Sequence, residues 1–420
     1  MKALGRTSRD TDVLIVGAGP AGLGAVAAFR HTGLKIKLVE AGRALDERCP
    51  NEPSDLVTGE GGAGLFSDGK FSFYPSATEM WHLQPEMELR ESYNRICQIL
   101  VRAGMRPPPF PHDSYTPSTN NGFQIKRYPS LYVPVANRYE LTRDLLRMCE
   151  GERIQATVTS ISKANDGNLL VAIGEHDRSE ALITRAVILA TGRFGPMSCV
   201  VNLPHVATYR RVEVGIRLEQ PAEKFFLRDD GCIDPKYIWT DQSRHVAWRT
   251  FCCCRQGEVL TTKFRDWTTL SGRADCPPTG RSNVGFNLRL SDGPDGHDTW
   301  RHLTSITQGS GLVVKEPLQV CLQPTASRLQ DLFGPSAAMM MREGLSRLVD
   351  RFGPMSFSEA MVYGPTIEGV GLYPAVNSSL RLSPHPIWLP GDTSGVFRGL
   401  TAALVSGYFV GRQVSLYFRS

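Results

Sequence analysis

Hydrophobic positions along the chain fall into a few unbroken runs separated by long stretches punctuated by Gly and Pro. The first run, Val13–Val16, follows Asp12 and is apolar throughout, as a strand buried on both faces requires. A second, Ile36-Lys-Leu-Val39, closes on Glu40, and the residues between them read as a helix ending near His31. Helical periodicity recurs over Pro85–Gly104 and Leu141–Cys149. Strand-like runs follow at Ile154–Ile161, Leu169–Ile173 and Ala186–Leu189, the last ending in Ala190-Thr191-Gly192. From about 205 to 355 short β-like runs dominate, with a helix around Ala337–Phe352. After Gly364 the pattern returns to strand, turn and helix: Pro386–Leu389, Pro390-Gly391-Asp392, then Leu400–Gln413. No internal repeat is present.

The turn after the first strand is Gly17-Ala-Gly19-Pro20-Ala21-Gly22. Strand, GxGxxG, helix, strand and acid together form the dinucleotide-binding fingerprint. Gly17 permits the tight turn, Gly19 lets backbone N–H groups approach a pyrophosphate, and Gly22 lets the helix pack closely on the strand. Glu40 is placed to accept hydrogen bonds from a ribose diol. Two later turns favour FAD over NAD. Small residues at Thr191-Gly192 let the chain pass close to the cofactor, and Asp392 after Gly391 suits a ribityl hydroxyl, with the helix from Leu400 aimed at the isoalloxazine. No second strand–GxGxxG–helix occurs across 150–360, so a nicotinamide cofactor, NAD(P)H, either binds transiently or is absent.

The expected fold is α/β: a Rossmann-like FAD-binding domain with a parallel sheet and an inserted mixed, β-rich substrate domain. Residues 1–50, 130–204 and 360–420 are assigned to the first. Residues 51–129 form a Gly/Pro-rich insertion covering the cofactor, and 205–359 the substrate domain.

Three segments carry a closer resemblance. Gly59-Glu-Gly-Gly-Ala-Gly64-Leu-Phe-Ser67-Asp68-Gly69-Lys70 resembles the GEGGAG-x-FSDGK signature of a largely uncharacterised bacterial family of FAD-dependent dehydrogenases. Val214-Gly-Ile-Arg217-Leu-Glu219 and Arg249-Thr-Phe-Cys252-Cys253-Cys254 are similar to that family's GVRxE and RTFCxC segments. The resemblance implies an FAD-dependent oxidoreductase. The chain departs from the family at Ala190–Gly195, at Gly391–Gly395 and at Arg398, which replaces a small residue, so substrate identity does not carry over.

Charge and composition narrow the class. A chain of 420 residues with net charge +5 has no basic run with interleaved aromatics, which argues against nucleic acid as a partner. Its longest apolar stretches are too short or too Gly-interrupted to span a bilayer, and a cytoplasmic location is expected. The ten cysteines include adjacent Cys252-Cys253-Cys254, poor disulfide partners, so free thiols are expected. Without CxxC pairs or HExxH, no metal site is expected.

The Gly-rich signature offers an anion-binding nest through Gly62, Ala63 and Gly64, with Ser67 and Lys70 supplying polar side chains. The cofactor set also takes in Arg48, Val158, Leu400 and Thr401. Cys252 and Cys254, on one face of a strand, are candidate redox or acid/base groups, as against inert buried thiols. Arg193 and Arg398 adjoin segments expected to face the flavin, and Arg217, Arg249 and Tyr363 are candidates for holding an anionic small-molecule substrate, with Glu368 a further acid/base candidate. His205, His245, His297 and His302 have no partner pattern and read as ordinary histidines. The leading expectation is an oxidoreductase moving a hydride between substrate and flavin N5. A monooxygenase using NAD(P)H and oxygen, and a non-catalytic flavin-binding protein, are the alternatives. The oligomeric state is not legible.

Overall fold

The computed structural model describes residues 9–112, 115–116, 118–120, 122–164, 166–175, 178–195, 200–307, 311–325 and 327–419. The apolar runs form the middle of a first sheet. Arg9–Val16 is flanked in parallel by Ile36–Glu40 and Arg178–Leu189, with Glu152–Gln155 parallel outside Ile36–Glu40. Ile387–Trp388 adds a further parallel pairing to Arg178–Leu189. Leu169–Glu175 and Thr157–Lys163 extend the sheet antiparallel, ending at Val200–Val201. Val13, Leu14 and Ile15 are fully buried, as the unbroken apolar run requires. The expected α/β class with a Rossmann-like parallel sheet holds.

Two elements differ from the sequence pattern. The run Ile154–Ile161 is not one strand: it divides at Ala156, whose N–H donates to the Glu40 carbonyl at 2.9 Å, and the two halves occupy opposite parts of the sheet. The helix expected at Leu141–Cys149 begins earlier and spans Val135–Arg147. Its first turn carries Arg138, whose side chain is buried, donating to the carbonyls of Leu65 (2.9 Å) and Val133 (2.8 Å).

The second sheet is wholly antiparallel. Its order is Val314–Pro317, Met361–Pro374, Ala207–Pro221, Arg281–Leu290, Val246–Cys254, Lys236–Asp241, Phe123–Lys126 and Ser118–Asn120. It therefore draws strands from both sides of the 205–359 span. Ser118–Asn120 and Phe123–Lys126 join it from the expected covering insertion, and Met361–Pro374, the stretch read as a return to the first domain, is one of its inner strands. Helix Pro335–Phe352 packs on this sheet, with Trp248 Nε1 donating to the Met340 carbonyl at 2.9 Å. The described cysteines are free thiols. No helix among the described residues is long and apolar enough to cross a membrane.

Candidate functional site

The parallel strands all deliver their C-terminal ends to one rim, where ligands of open α/β sheets bind. At that rim Gly17 has φ +101° and donates its N–H to the Val39 carbonyl at 2.7 Å. A Cβ on Gly22 would meet the Gly17 carbonyl oxygen at 1.8 Å, so only glycine allows the helix Pro20–Phe29 its approach. Pro20 opens that helix and no side chain caps it, leaving its first N–H groups for an anion. Ala21 lies alongside Gly391, whose N–H donates to Ser406 Oγ at 3.0 Å.

Glu40 accepts three backbone N–H bonds: Ala18 at 2.7 Å on Oε2, and Gly42 at 2.9 Å and Gly59 at 3.1 Å on Oε1. One lone pair on Oε2 stays available to a ribose hydroxyl. Val158 is buried in the core formed with Val16, Val39 and Ala156.

The glycine signature lies directly on the fingerprint. Gly61 N–H donates to the Ala18 carbonyl at 2.8 Å, and a Cβ on Gly62 would come within 2.8 Å of Gly19 Cα. Gly62–Leu65 is a short helix, carrying Ala63 and setting Gly64 against Pro20 and Leu400. Between Pro20, Gly61, Gly64 and Leu400 the cavity is about 20 Å³. Arg48 fixes the loop from behind, donating to the carbonyls of Glu60 (2.6 Å) and Gly62 (3.0 Å) and to that of Asp55. Burial brings its guanidinium down to about 10. Ser67 Oγ turns back onto the Gly64 carbonyl at 2.9 Å.

A second group of polar atoms faces the rim from the C-terminal turns. Asp392 Oδ1, Thr393 Oγ1, Thr401 Oγ1 and Arg398 Nη2 are buried with no hydrogen-bond partner among the described residues. Buried polar atoms left unpaired are costly, and a hydroxylated chain is the kind of group that would satisfy them. On this observation the residues present fit FAD: the uncapped helix end for the pyrophosphate, Glu40 for ribose, and the Asp392–Thr401 oxygens for the ribityl chain. Thr191 and Gly192 lie at the same rim, directly after Arg178–Leu189.

Beside these atoms the two sheets meet in a cluster of arginines. Arg193 reaches Glu368 Oε1 at 2.9 Å and Asp392 Oδ2 at 3.3 Å. Arg398 Nη1 reaches Glu213 and Glu368, each at 3.2 Å. Arg211 (3.0 Å), Arg289 (3.3 Å) and Arg249 also converge on Glu213. Five arginines thus surround three carboxylates, leaving a cationic excess. Burial alone would raise the Glu213 carboxyl, but Arg249, Arg289, Arg398 and Arg211 hold it well below the usual carboxylate range. Glu213 pulls the Arg289 guanidinium up, yet burial and the neighbouring Arg249, Arg211 and Arg398 bring it down to about 10. Glu213, Arg211 and Arg289 were not singled out in the sequence. The available signal was a carboxylate between Val212 and Val214 in an apolar strand.

Three of the candidates lie elsewhere. Arg217 is buried, donating to Asn283 Oδ1 at 2.9 Å and to the Cys252 carbonyl at 2.9 Å. Lys70 pairs with Asp68 at 2.9 Å and donates to the Cys253 carbonyl, beside the cysteines and not at the fingerprint. Tyr363 donates to Glu219 Oε2 at 2.9 Å, apart from the arginine cluster. Cys252 and Cys254 do share a face, with sulfurs 3.8 Å apart.

No family model matches the chain, and no curated protein matches it. Among solved structures, a triple mutant of the flavin-dependent brominase Bmp2 aligns over 98% of this chain and 81% of its own, at 10% identity and TM-score 0.44. Aklavinone-11 hydroxylase, in a ternary complex with FAD and aklavinone, aligns over 99% and 64%, at 10% and 0.42. A flavoprotein/dehydrogenase from Cytophaga hutchinsonii aligns over 97% and 78%, at 15% and 0.38. Likenesses of this degree bear on neither activity nor substrate.

Proposed function

We propose that the chain is an FAD-dependent oxidoreductase whose small-molecule substrate carries an anionic group. The observation that carries the reading is the convergence on one sheet rim of the uncapped Pro20–Phe29 helix, the Glu40 carboxylate and the unpaired oxygens of Asp392, Thr393 and Thr401. When bound, FAD supplies hydride chemistry at its N5. The chain's own groups hold and orient. Helix N–H groups take the pyrophosphate, Glu40 takes a ribose hydroxyl, and Asp392 and Thr401 take the ribityl hydroxyls. The cationic excess around Glu213 suits a carboxylate or phosphate, with Arg249 and Arg289 as its donors, since each keeps a buried Nε–H unpaired. Arg193 and Arg398 tie the cofactor-side turn to this cluster through Asp392 and Glu368.

The experiment is an anaerobic screen of FAD-loaded protein, scoring which compounds bleach the flavin absorbance. Bleaching by carboxylate- or phosphate-bearing donors supports the reading. Bleaching by NAD(P)H alone, followed by oxygen insertion into an added substrate, would assign a monooxygenase instead.

A further inference from the structure

The strand Val246–Cys254 ends irregularly: its pairing with Arg281–Leu290 shifts register between Phe251 and Cys254. Within that irregularity Cys252 has φ +50°, a left-handed conformation uncommon outside glycine. The result places Cys252 Sγ 3.8 Å from Cys254 Sγ and 3.0 Å from Asp68 Oδ2, to which it donates. Lys70 stands 2.9 Å from Asp68 and 3.8 Å from Asp234, and Arg217 donates to the Cys252 carbonyl. Lys236 also acts on Asp234, to which Tyr128 donates at 2.7 Å, and Tyr132, Arg138, Cys253, Arg255 and Cys276 are the further titratable groups around the pair.

Asp68 and the two sulfurs lie within 4.8 Å of one another, a spacing that could suit a metal ion. The charges oppose that reading. Lys70, Arg217 and Lys236 already outnumber Asp68 and Asp234, and a divalent cation would enlarge the excess. What the cluster lacks is an anion. A buried set of charges is stabilised by pairing, and a thiolate supplies the missing partner.

We propose that Cys252 and Cys254 form a redox-active pair, oxidised by hydrogen peroxide to an intramolecular disulfide. The adjacent Cys252 thiol, with Lys70 and Arg217, brings the Cys254 thiol down to about 7 against the opposing effect of burial, while Cys254 Sγ faces the Cys252 carbonyl at 3.5 Å. Its own partnership with Cys254, burial and Asp68 push Cys252 well above the ordinary thiol value. In the first step Cys254 thiolate attacks a peroxide oxygen; the O–O bond breaks, and one proton from solvent completes release of water, leaving a sulfenic acid. In the second, Cys252 sulfur attacks Cys254 sulfur, the S–O bond breaks, and the Cys252 proton leaves with the hydroxide as a second water. Two electrons pass from the sulfurs to peroxide. The small ring closed by residues two apart makes the bond readily reduced, a property of redox-active disulfides more than structural ones. This inference does not depend on FAD.

The test uses the whole protein, reduced, exposed to peroxide at neutral pH, unfolded, alkylated with N-ethylmaleimide and cut with trypsin. The Thr250–Arg255 peptide should lose two hydrogens and carry a single maleimide on Cys253, and dithiothreitol should restore three. Cys253→Ser should retain the bond and Cys254→Ser abolish it. A fully alkylated peptide at doses that oxidise other cysteines, or a bond to Cys253, would overturn the proposal. An independent measurement is the pH profile of Cys254 alkylation in the native protein. Its midpoint should fall near 7, and Lys70→Met should slow alkylation at pH 7 about fivefold, as a one-unit rise from that midpoint implies. A native midpoint at the ordinary thiol value of about 8.5 would equally overturn it.

Discussion

Gly22 lies so close beneath Gly17 that a Cβ on Gly22 would stand 1.8 Å from the Gly17 carbonyl oxygen. The contact fixes how near the helix Pro20–Phe29 comes to the strand before it, and thereby where its free N–H groups point. Gly22→Ala must push helix and turn apart. Overpacking of this kind costs about 1–3 kcal/mol. The variant should melt several degrees lower and lose most of its FAD, measured by thermal denaturation and released flavin. Full FAD occupancy in Gly22→Ala would mean that this contact does not set the cofactor position.

Glu40 holds the turn at Ala18 and the loop at Gly42 and Gly59 while keeping a lone pair for ribose. Glu40→Gln keeps the size and removes the charge. Hydrogen bonds to charged groups are worth about 1.5–3 kcal/mol, so FAD affinity should fall about 10- to 100-fold in a fluorescence titration. An unchanged Kd would remove Glu40 from the cofactor site.

Glu213 is buried among Arg211, Arg249, Arg289 and Arg398. Glu213→Gln leaves those cations uncompensated and should cost about 3–5 kcal/mol in denaturant unfolding. The pH dependence has a definite sign. A carboxyl held below its unfolded value adds stability that is complete above about pH 4.3 and drains away as pH falls towards the folded value. The wild-type protein should show this acid-side loss, and the variant should lack that part of it.

Lys236 titrates in the opposite direction. Burial, with Arg249 and Lys126 nearby and only partly offset by Asp234, brings its ammonium down to about 8. Between there and the unfolded value of about 10.4 the unfolded chain binds more protons, so stability should rise with pH. Lys236→Met should flatten that rise in a series of melts across the window. An equal slope in both proteins would contradict a buried, destabilised cation.

Arg289 and Arg249 are assigned to the anionic group of the substrate. For any donor found by flavin bleaching, Arg289→Gln should raise KM about 10- to 100-fold with kcat largely kept, the pattern of lost uniform binding. A fall in kcat at unchanged KM would place Arg289 in the chemistry instead.

The first βαβ unit was legible because its determinants are local: an apolar run, three glycines and an acid within one short stretch. The turns at Thr191 and Asp392 follow strands that the apolar runs Ala186–Leu189 and Pro386–Leu389 marked in the sequence. The arginine cluster was not. Arg193, Arg211, Arg249, Arg289 and Arg398 come from separate strands and turns, and only tertiary pairing brings them to Glu213 and Glu368. The partners of Lys70 were hidden for the same reason, since Asp234 and Cys253 lie far along the chain. Ile154–Ile161 misled because uniform β-favouring residues do not reveal a change of neighbour at Ala156.

The central claim, that Gly17–Gly22, Glu40 and the Asp392–Thr401 turn hold FAD, is tested most directly by the cofactor itself. Protein purified without added flavin, or reconstituted with FAD and desalted, is denatured, and the released chromophore is identified by chromatography. The account predicts stoichiometric FAD, greatly reduced in Gly22→Ala. Folded wild-type protein that is colourless and takes up no FAD on reconstitution would contradict it.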